Sequence, residues 1–434
     1  MQALINGFSK LSREEKINAL IEQQKLAPEI SSTFAEYLHP YKQNLFNDIS
    51  ENTVSNYYLP FSLAPNFLIN GRLYMLPMVI EESSVVAAAS KAATFWAKNG
   101  GFQTKVINTI KNGQIFFSWS GSIDLLNPLK KDLLKLFLEV SNPITKNMRS
   151  RGGGIIDFEL KSVPNMLGTH QVLLKFKTGD SMGANFINTC LETIAPHFIN
   201  FINQHEALKK ETQAEVIMSI LSNYTPECLV ECKVRCKIES LQSYSGSFST
   251  YEFAQRFKTA VEIAQNDPYR AVTHNKGIFN GIDAVVLATG NDFRAIEAGA
   301  HAYSSNHNHY SSLTSIKLND THFEYTLLVP LAMGTVGGLT NTHPLAKAAI
   351  NMLGNPSASE LMQITAAAGM ANNFGAVASL ITTGIQQGHM KLHLVNVLNT
   401  LNATDEEKVK INKHFKDSVV SFSMVETYLK ELRN

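Results

Sequence analysis

Apolar positions recur along the chain at two periods. From Ser12 to Lys25 they fall at helical spacing behind a Ser12-x-x-Glu15 pair, a capping-box pattern that predicts a helix over 12–25. Residues 51–82 read as extended structure, where Asn70-Gly71 between two apolar runs marks a tight hairpin with its second strand over 72–80. A helix from Val85 to Lys98 follows, capped by Ser83 or Ser84 and stopped at Asn99-Gly100-Gly101. Between about 109 and 218 the pattern gives a strand (113–120), a helix (127–140), two strands (155–161 and 170–177) and a helix from Ala184. That order predicts a small α+β unit of split β-α-β type. It argues against a Rossmann unit, because no Gly-x-Gly-x-x-Gly follows a strand. Cys228, Val230, Cys232, Val234, Cys236 and Ile238 then alternate with Glu231, Lys233, Arg235 and Lys237, which predicts a half-buried strand over 228–238. Helices are predicted at 251–265 and 274–288, and an amphipathic helical tail over 376–434 with a polar break at 402–406.

Bulk properties narrow the function classes. A chain of 434 residues has room for about two or three domains. Its net charge of +1 supplies no global field toward nucleic acid or a membrane, so an anionic ligand must be met by local cations and helix N-termini. The N-terminus lacks the apolar core of a secretory signal. The most apolar run, Tyr325 to Val336, is shorter than the roughly 20 residues of a membrane span and is broken by Pro330 and Gly334. A soluble, cytoplasmic protein is expected, with no nucleic-acid or membrane partner. The cysteines at 228, 232 and 236 invite a metal site, but their alternation makes them small apolar strand residues. His307 and His309 lack further ligands, and His389-Met-Lys-Leu-His393 lacks the Glu that a zincin needs, so no metal is expected.

The candidate chemistry gathers in residues 267–292. If 274–288 is helical, Lys276 and Asn280 share a face one turn apart, with Arg270 reaching from the preceding loop and Asp292 at the following turn. A converging cation, amide and carboxylate suit a carbonyl: the Lys stabilises a developing oxyanion and the Asp holds the Lys charged. Asp292 reads equally as a plain N-cap, and Lys276 as a solvated cation. Glu81 and Glu82 stand between a strand end and a helix start, and the residues alone do not choose between them. In Gly179-Asp-Ser-Met-Gly-Ala-Asn185, Gly183 permits close approach of a ligand to the backbone, and the following helix would aim its amides at a pyrophosphate. The same residues read as an ordinary helix start capped by Asp180 or Ser181.

Taken with Met333-Gly-Thr-Val-Gly-Gly338 and Gln387-Gly-His-Met390, these motifs resemble the signature of 3-hydroxy-3-methylglutaryl-coenzyme A (HMG-CoA) reductases, most like their soluble bacterial class, from about residue 5 to 430. The resemblance implies an α+β fold. A large helix-rich substrate-binding domain (1–108 and 219–375) would carry an inserted ferredoxin-like dinucleotide-binding domain (109–218) and a mobile helical C-terminal flap (376–434). It implies reduction of HMG-CoA to mevalonate and coenzyme A by two hydride transfers. The implied catalytic residues are Glu82 as acid, Lys276 on the oxyanion, Asp292 tuning that lysine, and His389 protonating the departing thiolate. Asp180, Met182, Gly183, Ala184, Asn185, Asn188 and Asn223 would hold the dinucleotide. Ser84, Arg270 and Asn280 would hold the acyl group, and Lys10 a coenzyme A phosphate. NADH-preferring relatives carry an Asp near Thr145, whereas 141–151 here has no acid and offers Lys146 and Arg149 to a 2′-phosphate. NADPH is therefore the expected cofactor, with NADH as the alternative. The resemblance also places the 333–343 loop near the acyl-CoA site and implies a homodimer, or an assembly of dimers, with sites built from both subunits. Two other readings stay open: the same chemistry run oxidatively with NAD, and a non-catalytic CoA-thioester binding protein.

Overall fold

The computed structural model describes residues 4–208, 211–306, 309–382, 384, 394, 397–415 and 420–433. The chain divides into two compact units, Met1–Pro60 and Phe61–Asn434. The first holds α1 (Arg13–Gln24), α2 (Ile30–Glu36) and α3 (Gln43–Ile49). Its capping box forms as the sequence predicts: Ser12 N donates to Glu15 Oε2 at 2.7 Å and Glu15 N to Ser12 Oγ at 3.2 Å. Extended pairing does not begin at 51; the first strand starts at Phe61.

In the second unit, β1 (Phe61–Ile69) and β2 (Arg72–Val79) form the hairpin. Its two-residue turn places Asn70 at φ 48° and Gly71 at φ 82°, the left-handed pair that a tight hairpin needs. After α4 (Val85–Ala97) and β3 (Gln103–Val106), the chain enters a second sheet. That sheet is built from β4 (Lys111–Ser118), β5 (Gly154–Ser162), β6 (Thr169–Lys177) and β7 (Glu215–Ser222), antiparallel in the order β5-β6-β4-β7. The helices of this unit are α5 (Lys130–Val140), α6 (Asn142–Arg149) and the 21-residue α7 (Ala184–Gln204). Phe117, Phe137, Phe158, Phe176 and Phe198 fill a core of its own between sheet and helices. The predicted α+β unit is present, and β7 carries its sheet past residue 218 to Ser222.

The chain then returns through β8 (Leu229–Lys237), α8 (Thr250–Asn266), α9 (Pro268–Ala288), α10 (Phe293–Ser304), β9 (Thr314–Leu318) and β10 (His322–Pro330). Strand β8 lies between β3 and β10, so its alternating cysteines point into the large core while the charges face outward. After α11 (Gly338–Thr342) and α12 (Pro344–Met352) comes α13, Ala358–Ile381, which runs unbroken past residue 375. The sequence reading put the most apolar stretch at 325–336. Helix α13 is the one described helix long and apolar enough to cross a membrane, and 72% of its most apolar window is buried inside the fold. Helices α9 and α13 pack at close range because glycine lines their contact. A Cβ on Gly281 would overlap the Ala368 carbonyl, and one on Gly369 would press on Ile278 and Ile282. Two further helices, Asp405–His414 and Phe422–Arg433, share a separate cluster around Leu398, Ile411, Val425 and Leu429.

Candidate active site

Helix α9 starts earlier than its apolar pattern suggests. Asp267 caps it, its carboxylate accepting from Arg270 N at 2.7 Å, and Pro268 fits the first turn, where a missing amide hydrogen costs nothing. Arg270 therefore stands in the first turn of the helix and not in a preceding loop, as the sequence reading had it. Arg270, Thr273, Lys276, Gly277 and Asn280 form one stripe along α9. That stripe faces Glu82, Ser84 and the first turns of α4 across a cleft of about 430 Å³, with the C-terminal half of α13 as its third wall.

Lys276 Nζ donates to Glu82 Oε2 at 2.5 Å, and the pair is partly exposed to the cleft. Of the adjacent acids it is Glu82 that lines the cleft. Ser84 occupies the N-cap position of α4 at φ 78° and ψ −22°, and its side chain makes no capping bond. A non-glycine residue in the left-handed region costs on the order of 1–3 kcal/mol and persists where the surroundings require it. The consequence is a Ser84 side chain that lines the cleft instead of closing the helix end.

Beneath the cleft lies a polar network that periodicity did not reveal. His274 Nε2 is 2.7 Å from Thr314 Oγ1 and 3.3 Å from Tyr325 Oη. Tyr325 also donates to Asn373 Oδ1, and Asn373 Nδ2 donates to the His274 carbonyl at 2.8 Å. Burial, with help from the Arg270 charge, pushes the His274 pKa from 6.5 down to about 3. The unfolded chain takes up that proton near pH 6.5 and the folded chain does not. The stability His274 contributes is therefore complete above pH 6.5 and is lost as pH falls toward 3. Melting temperature should drop over that window, and less steeply in His274→Gln; equal slopes would remove His274 from the account. Burial, reinforced by Glu297 and then Glu81, raises the carboxyl of Asp283, further along α9, to about 8. Lys91, two turns beyond Ser84 on α4, is a third cation of the cleft wall.

Other predicted residues lie elsewhere. Asp292 caps α10, accepting from Arg294 N at 3.1 Å and Ala295 N at 3.2 Å, and it pairs with the Arg294 side chain. Among the described residues no hydrogen bond or ion pair joins it to Lys276. Lys10 is exposed at the end of a short 3-10 turn in the N-terminal unit. His389 lies outside the described residues.

The 179–185 loop is not the side-chain-capped helix start that the plain reading offered. The N-cap of α7 is Gly183, at φ 90° and without a side-chain cap, and Met182, Ala184 and Asn185 lie beside it. Asp180 instead reaches the start of α13, whose cap is Ser357: its Oδ1 accepts from Ala358 N at 2.7 Å, and its carbonyl from Thr335 N at 2.8 Å. The 333–338 loop thus packs directly on the 179–183 loop, with Gly334 so close to Ser181 and Met182 that a Cβ has no room. Asn188 Oδ1 accepts from Leu221 N at 2.8 Å, while Met182, Ala184 and Asn223 border one small cavity. Uncapped amides at the start of a long helix, behind a left-handed glycine, fit an anionic dinucleotide. On α6, Arg149 donates to Asn142 and borders a cavity of about 410 Å³ with Lys131 and Lys135 of α5, and both Arg149 and Lys146 are exposed. Thr145 is buried.

Comparison with known proteins is consistent along the whole chain. The family profile described as hydroxymethylglutaryl-coenzyme A reductase matches residues 12–394. A 3-hydroxy-3-methylglutaryl-coenzyme A reductase of Archaeoglobus fulgidus is 35% identical, the alignment covering 100% of this chain and 96% of that one. A probable enzyme of the same name from Borreliella burgdorferi is 30% identical over 99% of this chain and 97% of its own. Among solved structures, the 3-hydroxy-3-methylglutaryl-coenzyme A reductase of Streptococcus pneumoniae superposes with a TM-score of 0.72 at 36% identity, covering 99% of this chain and 100% of that one. A class II structure from the same organism, bound to NADPH in open conformations, gives a TM-score of 0.71 at 36% identity over 88% of this chain and 100% of that one.

Proposed function

This chain belongs to the hydroxymethylglutaryl-coenzyme A reductase family, and on that premise we propose that it reduces HMG-CoA to mevalonate and free coenzyme A in the cleft around Lys276 and Glu82. The observation that carries the reading is the 2.5 Å pair of ammonium and carboxyl in a cleft that also presents Ser84, Arg270 and Asn280. The balanced reaction consumes HMG-CoA, two NADPH and two protons, and yields mevalonate, two NADP⁺ and coenzyme A.

NADPH supplies the hydride in each of the two reductive steps. Lys276 stabilises the oxyanion that forms when the thioester carbonyl carbon is attacked. When the resulting hemithioacetal collapses, its C–S bond breaks and His389 gives the thiolate a proton, a role for which imidazole is suited near neutral pH. Glu82 then delivers, through Lys276, the proton that the mevaldehyde oxygen needs in the second reduction. Arg270 pairs with the free carboxylate of the acyl group, and Ser84 and Asn280 hydrogen-bond the substrate or Lys276. The uncapped start of α7 cradles the pyrophosphate, and Arg149 with Lys146 meets the 2′-phosphate. Lys10 meets a coenzyme A phosphate.

Asp292 requires a second subunit in this scheme. Within one chain its carboxylate caps α10, with its side chain about one-third exposed (36%). In a homodimer whose sites draw on both chains, Lys276 of one subunit meets the partner subunit's Asp292. The domain division given by the resemblance and a cytoplasmic setting belong to the same proposal.

Purified protein supplied with HMG-CoA should oxidise two NADPH for each coenzyme A released, with kcat/KM higher for NADPH than for NADH. Tight binding without turnover would make the chain a thioester-binding protein instead. A clear NADH preference would withdraw the role of Arg149.

A further inference from the structure

Lys111 opens β4, yet its side chain is almost completely buried, at 4% exposure. Its three N–H groups meet three neutral oxygens: Thr178 Oγ1 at 2.7 Å, the Ser181 carbonyl at 2.7 Å and the Met333 carbonyl at 3.4 Å. Thr178 and Ser181 flank the loop that leads into α7, and Met333 begins the glycine-rich loop packed against it. The same lysine borders the small cavity shared by Met182, Ala184 and Asn223. Among the described residues no carboxylate makes an ion pair with Lys111. The nearby titratable groups are Asp180, whose carboxylate is committed to Ala358 N, and Cys228, whose thiol burial raises to about 11. A buried cation without a counter-charge is costly, and it persists where an anion arrives to compensate it.

We infer that Lys111 is a positioning residue for the dinucleotide, its buried ammonium tying the 179–183 loop to the Met333 carbonyl and offering the anionic cofactor a charge that no ion pair holds among the described residues. The inference rests on the reading that this loop holds the dinucleotide. Burial brings the Lys111 pKa from 10.5 down to about 8. An arriving anion favours the charged form and raises it again. Binding of NADPH near pH 8 therefore takes up a proton, and affinity declines as pH rises above about 8. The unliganded fold behaves oppositely. Between about 8 and 10.5 the unfolded chain binds the proton that the folded lysine has released, so this group favours folding more as pH rises.

The test is fluorescence titration of the full chain with NADPH between about pH 6.5 and 9.5, with proton uptake measured by calorimetry in two buffers. Wild-type Kd should rise about tenfold from pH 7 to pH 9 by single-site linkage. Lys111→Met should bind NADPH about tenfold more weakly at pH 7, the size of one lost unit of charge stabilisation, with a flat pH profile, no proton uptake and little change in KM for HMG-CoA. Lys111→Arg should recover the affinity at neutral pH without the pH dependence. A flat wild-type profile needs no variant to overturn the inference. Equal loss of affinity for NADPH and HMG-CoA in Lys111→Met also overturns it, because that result marks a purely structural lysine. Asn185→Ala separates the two levels: if it leaves NADPH binding unchanged, the loop assignment itself is wrong. If it weakens binding while Lys111→Met does not, only the lysine's role is lost.

Discussion

Replacing Lys276 by alanine should lower kcat about 100- to 1000-fold, the usual cost of removing a preorganised donor from a developing oxyanion. The argument is geometric. Lys276 projects from the middle of a helix packed closely on α13 at Gly281 and Gly369, so the root of its side chain is fixed by backbone packing and not by a loop. Its partner Glu82 lies on the opposite wall, 2.5 Å away, which confines Nζ to the space between them. KM for HMG-CoA should stay near the wild-type value, because Arg270 and Ser84 remain to hold the acyl group. Steady-state kinetics on both substrates checks this. A kcat within about tenfold of wild type would move the oxyanion site away from position 276.

Glu82→Gln should cost about 100- to 10 000-fold in mevaldehyde reduction, the span usual for loss of a general acid. Gln keeps the shape and can still accept a hydrogen bond from Lys276, so the cleft is preserved while the carboxyl's capacity to carry a proton is removed together with its charge. Supplying mevaldehyde and NADPH isolates this half of the reaction. The first hydride transfer, followed with HMG-CoA in a single turnover, should be affected less. Equal losses in both halves would give Glu82 an electrostatic role in place of proton delivery.

Much of this arrangement is legible in the sequence because it is local. The capping box at Ser12, the Asn70-Gly71 turn and the alternating face of β8 each follow from neighbours within a few residues. So does the Lys276–Asn280 stripe. The start of α9 is less legible, because Val272 and Thr273, β-branched and poor helix formers, weaken a pattern that Asp267-Pro268 in fact begins. Helix α6 has few apolar positions among the cations of 141–151, although Pro143 near its start is a helix-opening signal. Lys91 and Lys111 carried no signal at all. A lysine seven residues after Ser84 looks like any surface cation, and Lys111 is buried only because loops 67 to 222 positions away close over it. The His274 network is equally non-local, joining α9, β9, β10 and α13. Asp292 shows a different limit: its role as the cap of α10 is legible, yet among the described residues no hydrogen bond or ion pair joins it to Lys276.

Cys228, just before β8, and Cys232 and Cys236 within it give the molecule a built-in chemical clock. Burial lifts the Cys228 thiol to about 11 and Cys236 to about 12, and Cys232 still further. Few thiolates exist in the closed state, and those that form are shut away from reagents. Alkylation of the native protein must wait for the central sheet to part. At these three positions its rate then counts how often the large core breathes open, and any ligand that tightens that core will slow the count.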